Sequence, residues 1–312
     1  MRNFADMLMD AVDTKQSRLV VGLDPRIEYI PDDLREPALR AGGSFCGAAA
    51  EMILSFNKIV IDIVAPYVPA VKVQVAFYEQ FGAAGYRAYE DTCKYAADKG
   101  LIVIGDVKRS DIGSTAQAYA HAHLGATELN EKVVHRGHAH AVTVVSYFGS
   151  EGIDPFLHTA AESAKGIFVV VRSSNPTAHE IQGKEDEPDP LYLRVAGWVN
   201  EWGKGNIGDR GYSAVGAVVG ATFPGDIPKL REIMPHAIFL LPGYGAQGAE
   251  PSALAPAFDA NGHGAVVAAS RRIILAHRDP ANQMWEHDIE QAVKEVNADL
   301  AENLPPLKKG GG

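Results

Sequence analysis

An α/β fold, a (β/α)8 (TIM) barrel forming a single domain over residues 1–312, is what this sequence predicts, and three observations predict it. Eight short β-rich apolar runs recur along the chain, helix-length stretches separate them, and no glycine-rich phosphate turn follows the first run. Strands alternating with crossover helices give parallel sheets, and eight such strands close a barrel. A doubly wound open sheet alternates as well, but it commonly has fewer strands and favours a Gly-rich turn after the first one. Here the first run ends in Gly22-Leu23-Asp24-Pro25-Arg26.

The chain opens with MRNFADMLMDAVDTKQS, whose acidic residues interrupt the apolar ones, so a helix is expected rather than a signal peptide. The eight strands are expected at Arg18 to Leu23, Ala70 to Phe77, Leu101 to Val107, Ala139 to Val145, Gly166 to Val171, Tyr212 to Val219, Ala237 to Leu241 and Ala265 to Ala269. Between them, Ser44 to Val64, Tyr89 to Asp98 and Leu191 to Trp202 carry apolar residues at helical spacing and would clothe the barrel. Ile27 to Gly43 and the polar, Pro-rich Ser173 to Pro190 stand out as irregular inserts. The second follows strand five, on the face where barrels keep their chemistry, so it is either a substrate-covering loop or a solvated surface insert. The tail LPPLKKGGG is expected to fray.

Composition narrows the function. With 46% hydrophobic and 22% charged residues the chain has ample material for a large core, which excludes disorder as its dominant state. Lys plus Arg is 29 against 39 Asp plus Glu, a net charge of −10, and this argues against a nucleic-acid or anionic-membrane binder. Any anionic ligand must then be held by a local positive site. No apolar run approaches a membrane span. The two cysteines, Cys46 and Cys93, lack metal-type spacing, which favours a reducing cytoplasm and core or half-buried thiols.

Polar groups at the C-terminal ends of barrel strands point into the mouth, where they are candidates for catalysis. Strand one ends at Asp24, strand two contains Lys72, and strand three runs IVIGDVKRSDIGST, offering Asp106, Lys108 and Asp111. Side chains alternate along a strand, so Asp106 and Lys108 share one face while Val107 between them faces the helices. A buried charge is costly unless paired, and alone this spacing would suit a structural ion pair. Accumulated over three consecutive strands, the alternating signs suit a lysine kept charged in a water-poor site by surrounding carboxylates, which makes it a proton donor.

On the opposite side, strand seven leads into Pro242-Gly243-Tyr244-Gly245-Ala246-Gln247-Gly248 and strand eight into Ser270-Arg271-Arg272. Loops after the last two barrel strands often bind phosphate through backbone N–H groups and a guanidinium fork. His121, His123, His135, His138 and His140 lack a matching carboxylate set and are expected to be solvated. Trp198 and Trp202, four apart, suggest a packing stripe against the barrel.

From Leu19 to about Ala276 the sequence resembles the orotidine 5′-phosphate decarboxylase family, its longer bacterial branch in particular. The stretch DVKRSDIGST fits the D-x-K-x-x-D-I-x-x-T pattern at Asp106, Lys108, Asp111, Ile112 and Thr115, with Lys72 and Asp24 on the preceding strands. Ser174 resembles the serine before the pyrimidine-covering loop, and Pro242 to Gly248 the P-G-x-G-x-Q-G phosphate turn, including Gly245 and Gln247. The arginine after strand eight falls on Arg271. Many members place glycine before it, whereas this chain has Ser270 and then a second arginine, so Arg272 stays an alternative to the favoured Arg271.

The resemblance implies decarboxylation of orotidine 5′-monophosphate, a small nucleotide substrate, to uridine 5′-monophosphate, with no metal and no organic cofactor. It implies that Lys108 stabilises and protonates the carbanion, that Asp106 orients Lys108 beside the departing carboxylate, and that Lys72 and Asp24 hold ribose hydroxyls. It further implies a homodimer in which Asp111, Ile112 and Thr115 reach the neighbouring subunit's site. The nearest rival is a Mg2+-dependent sugar-phosphate decarboxylase or lyase sharing the D-x-K-x-x-D strand, which carries a metal-binding carboxylate where this chain has Lys72. A non-catalytic nucleotide-phosphate-binding barrel is the rival from another class; the intact Asp106 and Lys108 count against it.

Overall fold

The computed structural model describes residues 2–41, 43–135, 137–183, 188–245 and 250–308. Helix α1 (Phe4–Lys15) precedes strand β1 (Leu19–Leu23), and α2 (Asp32–Arg40) and α3 (Phe45–Val64) lead to β2 (Ala70–Gln74). After α4 (Ala76–Glu79) and α5 (Gly82–Asp98) come β3 (Ile102–Arg109), α6 (Gly113–His123), a hairpin of β4 (Ala126–Leu129) and β5 (Lys132–His135), then β6 (Ala141–Val144) and α7 (Ser150–Glu162). The remainder is β7 (Gly166–Arg172), α8 (His179–Gln182), α9 (Leu191–Gly203), β8 (Ser213–Val219), α10 (Ile227–Ile233), β9 (Ala237–Pro242), β10 (Ala265–Ala269), α11 (Arg271–Ile274) and α12 (Trp285–Asn303).

Eight of these strands close a barrel in the order β1-β10-β9-β8-β7-β6-β3-β2, every neighbouring pair parallel. The expected (β/α)8 fold is therefore the observed one. Its strands are apolar on both faces because both faces are buried. In β1, Leu19, Val21 and Leu23 join the layer between strands and helices, while Val20 joins the barrel interior with Ile104, Phe168, Leu240 and Val266. Helix α1 closes the floor: Phe4, Leu8, Met9 and Val12 enter that interior cluster, Phe4 meeting Phe168 edge to face at 5.9 Å. Asn3 caps α1 by accepting from the Ala5 N–H, and Arg210 clamps its far side through Asp10 at 2.9 Å and Asp13 at 2.5 Å.

Several expectations are corrected. Strand two stops at Gln74, because Val75 adopts helical angles (φ −57°, ψ −32°) and Ala76–Glu79 form α4. Ile27 to Gly43 is not irregular: a 3-10 turn at Ile27–Tyr29 and α2 occupy it. The β4–β5 hairpin is an addition outside the barrel. Cys46 is exposed whereas Cys93 is buried, and Trp198 points outward at 43% exposure, so only Trp202 packs against the core. His123 is buried rather than solvated, and burial together with the Arg109 charge lowers its pKa to about 4. His121 and His140 are half-buried, and His138 is exposed. Among the described residues no helix is long and apolar enough to cross a membrane.

Candidate active site

At the C-terminal mouth of the barrel lies a cavity of about 160 Å3 lined by Asp24, Lys72, Asp106, Ser174, Pro242, Gly243, Tyr244, Ser270 and Arg271 together with strand backbone. Each charged liner stands on a different strand end. Lys72 projects inward from β2, its Nζ 2.9 Å from Asp106 Oδ2 and 3.4 Å from Asp24 Oδ1. Lys108 Nζ lies 2.5 Å from the other Asp106 oxygen, Oδ1. The result is an unbroken chain Asp24, Lys72, Asp106, Lys108 of alternating sign.

Burial sets the electrostatics. Lys72 and Asp106 retain 8% and 7% side-chain exposure, so each needs the other's charge to stay ionised. Burial alone would lower the Lys72 pKa, but Asp106 and Asp24 outweigh it and hold the ammonium above the usual lysine value. Burial would likewise raise Asp106, and the charges of Lys72 and Lys108, with their hydrogen bonds, instead hold it well below the ordinary carboxylate range. Lys108 differs from the expectation of a water-poor lysine: it stands at the rim, 48% exposed. Its backbone lies in the left-handed region at φ +43°, which costs a non-glycine residue roughly 1–2 kcal/mol. The cause is a break in register between β3 and β6, where Gly105 pairs with Val142 but Arg109 pairs with Val144. Such a bulge re-aims a side chain, and here it turns Lys108 back onto Asp106.

Two side chains that the sequence reading passed over complete the carboxylate's shell. Gln74 Nε2 donates to Asp106 Oδ2 at 2.9 Å, and Thr143 Oγ1 donates to Oδ1 at 2.8 Å. A Gln at the end of an apolar strand, two residues after Lys72 and therefore on the same face, was the available signal for the first. Thr143 sits inside the run AVTVV, where a threonine is an ordinary β-former, and gives no such signal.

Across the mouth, Ser174 is held where β7 gives way to the loop, its carbonyl accepting from Thr222 Oγ1 at 3.0 Å. Gly220 permits that approach, since a Cβ there would sit 2.8 Å from Ser174 Cα. Pro242 ends β9, and Gly245 turns at φ +74° with Arg272 against it. Gln247 lies outside the described residues. The two arginines after β10 separate cleanly. Arg272 donates to the Tyr244 hydroxyl at 2.8 Å and pairs with Asp299 at 3.3 Å. Arg271 lines the cavity, and its guanidinium has no hydrogen-bond or ion-pair partner among the described residues. Ser270 Oγ, beside it, is buried with no hydrogen-bond partner among the described residues.

Asp111, Ile112 and Thr115 do not line this cavity; Ile112 is 46% exposed and Thr115 is exposed, while Asp111 Oδ1 caps the Ile112 N–H at 2.8 Å. The loop after β7 folds back on itself: Gln182 accepts from the Ser173 N–H at 3.0 Å and donates to its hydroxyl at 2.7 Å. Arg172 donates to the Gly183 carbonyl at 3.0 Å and to Asp226 at 2.8 Å, both charged side chains being buried.

An orotidine 5′-phosphate decarboxylase of Rhodopirellula baltica is 40% identical over 308 residues, spanning 96% of this chain and 99% of that protein. The orotidine 5′-phosphate decarboxylase of Caldicellulosiruptor bescii is 37% identical over 300 residues, covering 96% of this chain and 98% of the relative. Among solved structures, the OMP decarboxylase of Leishmania donovani superposes with a TM-score of 0.71 at 28% identity, over 96% of this chain and 98% of the other. With a family model matching residues 17–285, the chain belongs to the orotidine 5′-phosphate decarboxylase / HUMPS family.

Proposed function

We propose that this chain decarboxylates orotidine 5′-monophosphate to uridine 5′-monophosphate. The observation that carries the reading is the alternating charge chain Asp24, Lys72, Asp106, Lys108 at the barrel mouth, its inner pair Lys72 and Asp106 buried, faced on the far side by an arginine whose side chain has no partner among the described residues. Arg271 takes the phosphate, with the turn from Pro242 through Gly245 and with Gln247, while Ser174 contacts the pyrimidine under the loop that follows it. Asp24 and Lys72 take the ribose hydroxyls. The carbon–carbon bond to the carboxylate breaks, CO2 leaves, and the electron pair stays on the pyrimidine carbon. The Lys108 ammonium stabilises that charge by preorganised electrostatics, transfers its proton to the carbon, and regains one from water. Asp106 fixes where the ammonium points.

A Mg2+-dependent lyase is not favoured by the donor set. Asp24 and Asp106 both bind the Lys72 ammonium, which occupies the position a divalent ion would need and cannot ligate it while charged. We also propose a homodimer in which Asp111, Ile112 and Thr115 complete the partner's site. Supporting it, Ile112, Tyr147 (78%) and Phe148 (51%) are exposed apolar side chains, and a Cβ built on Gly152 would lie 2.8 Å from the Asp111 carbonyl and 3.2 Å from Phe148 Cβ, so these loops adjoin. Two free thiols, one of them exposed, suit a reducing cytoplasm. The deciding experiment follows the absorbance of orotidine 5′-monophosphate with purified protein, with and without EDTA. The reading expects rapid, EDTA-insensitive loss of substrate and equimolar uridine 5′-monophosphate; an intact substrate, or turnover abolished by EDTA and restored by Mg2+, would overturn it.

A further inference from the structure

Five residues of β3, from Gly105 to Arg109, span the same stretch of barrel as three residues of β6, from Val142 to Val144. The excess has to leave the ladder, and it does so at Lys108, the one residue of β3 with a positive φ. A strand that bulges loses backbone pairing, so something else must hold it. The only β6 residue between the two registered positions is Thr143, which is 1% exposed.

Its hydroxyl makes two bonds. Oγ1 donates to Asp106 Oδ1 at 2.8 Å and accepts from the Lys108 backbone N–H at 3.0 Å. The polarity follows from chemistry: an ionised carboxylate only accepts and a backbone N–H only donates. The hydroxyl proton therefore points to Asp106, which leaves a lone pair for Lys108. The same Asp106 oxygen binds the Lys108 ammonium at 2.5 Å. Backbone nitrogen, hydroxyl, carboxylate oxygen and ammonium thus form a closed loop through one residue of the neighbouring strand.

We propose that Thr143 is a positioning residue for the reaction, holding Lys108 in its left-handed backbone conformation and so fixing the ammonium at the reacting carbon. Its hydroxyl replaces the ladder bond that the bulge removes and also selects which Asp106 oxygen faces Lys108. Lys72 and Gln74 keep the other oxygen, 2.9 Å from each. Without the hydroxyl, Lys108 is free to relax out of the strained conformation, while Asp24, Lys72, Ser174 and Arg271 still bind substrate. The loss therefore falls on the chemical step and not on affinity.

This inference rests on the proposed decarboxylation, and its test separates the two. Steady-state kinetics and uridine 5′-monophosphate binding are compared for wild type, Thr143→Val, which keeps the shape, and Thr143→Ser, which keeps the hydroxyl. A displacement of about 1 Å in a catalytic group is worth on the order of 10²-fold, so Thr143→Val should lower kcat by about that factor. Its KM and product Kd should stay within roughly threefold, and Thr143→Ser should recover most of kcat. The inference is overturned if Thr143→Val keeps wild-type kcat, if Thr143→Ser is no better than Val, or if the valine protein no longer binds the product, since the hydroxyl would then be supporting the whole site. A wild-type protein that leaves orotidine 5′-monophosphate intact would overturn the proposed function instead.

Discussion

Arg271 and Arg272 are neighbours in the chain with different partners, and that difference is measurable. Arg271 faces the cavity unpaired, whereas Arg272 is committed to Tyr244 and Asp299. A hydrogen bond to a charged group is worth about 1.5–3 kcal/mol, so Arg271→Ala should reduce kcat/KM by roughly 10- to 100-fold. Arg272→Ala should leave it within about fivefold and lower the urea midpoint only slightly, as expected for a half-exposed pair. Equal losses in both variants would contradict this division of labour. A second residue-level expectation concerns pH. The depressed native pKa of Asp106 contributes stability that is present above the unfolded value of about 3.9 and is lost as pH falls through the native value. The raised native pKa of Lys72 contributes stability fully present below about 10.4 and lost as pH rises through its native value. Both groups stay charged between these limits, so neither should produce a limb in the pH profile of kcat/KM from about pH 5 to 9. Asp106→Asn should lower the urea midpoint at pH 7 and flatten its further fall in acid. A limb at neutral pH that vanishes in this variant would show that the carboxylate titrates there.

At the scale of elements, a buried ion pair anchors the loop after β7. Arg172 and Asp226 are 3% and 4% exposed, and the guanidinium also stacks on Phe223 and Tyr192 at 4.1 and 4.6 Å while holding the Gly183 carbonyl. Removing one partner of a buried pair strands the other charge and costs about 3–5 kcal/mol. Asp226→Ala should therefore lower the urea midpoint markedly and increase hydrogen exchange in residues 173–183; an unchanged midpoint would mean that water replaces the carboxylate. This anchor was not legible in the sequence, because the arginine closes an apolar strand and its partner is 54 residues away. The eight barrel strands were legible for the opposite reason: burial on both faces leaves a continuous apolar run that composition reveals directly. Strand two was overextended because Val75 and Phe77 have β propensity, while the chain there turns into α4. The β4–β5 hairpin escaped because its turn, Asn130-Glu131, puts a glutamate at φ +62° where the recognisable pattern has glycine. Asp24, Lys72, Asp106 and Lys108 were legible as charges in apolar company. Gln74 carried a signal, as a polar residue on the Lys72 face of the same strand, but Thr143 did not, since the need for it arises from a bulge that appears only once the strands are paired.

For the whole molecule, the position of Asp111, Ile112 and Thr115 poses the sharpest question. They follow the β3 strand that carries Asp106 and Lys108, yet they do not line the cavity that Asp106 helps to form. A closed two-fold assembly would bring each subunit's exposed 111–115 segment to the other's mouth, since an isologous interface exchanges identical surfaces. Composite sites have a numerical signature. Suppose Lys108→Ala and Asp111→Ala proteins, each nearly inactive alone, are mixed in equal amounts and allowed to exchange subunits. About half of the dimers become hybrids, and in each hybrid one site carries both lesions while the other carries neither, so about a quarter of wild-type activity should return. The site that recovers belongs to the Asp111→Ala subunit, which keeps its own Lys108 and borrows Asp111 from its partner. If both residues acted within one chain, every site would retain one lesion and mixing would restore nothing. Subunit exchange, demonstrated independently by mass labelling, makes the absence of recovery decisive against a shared site.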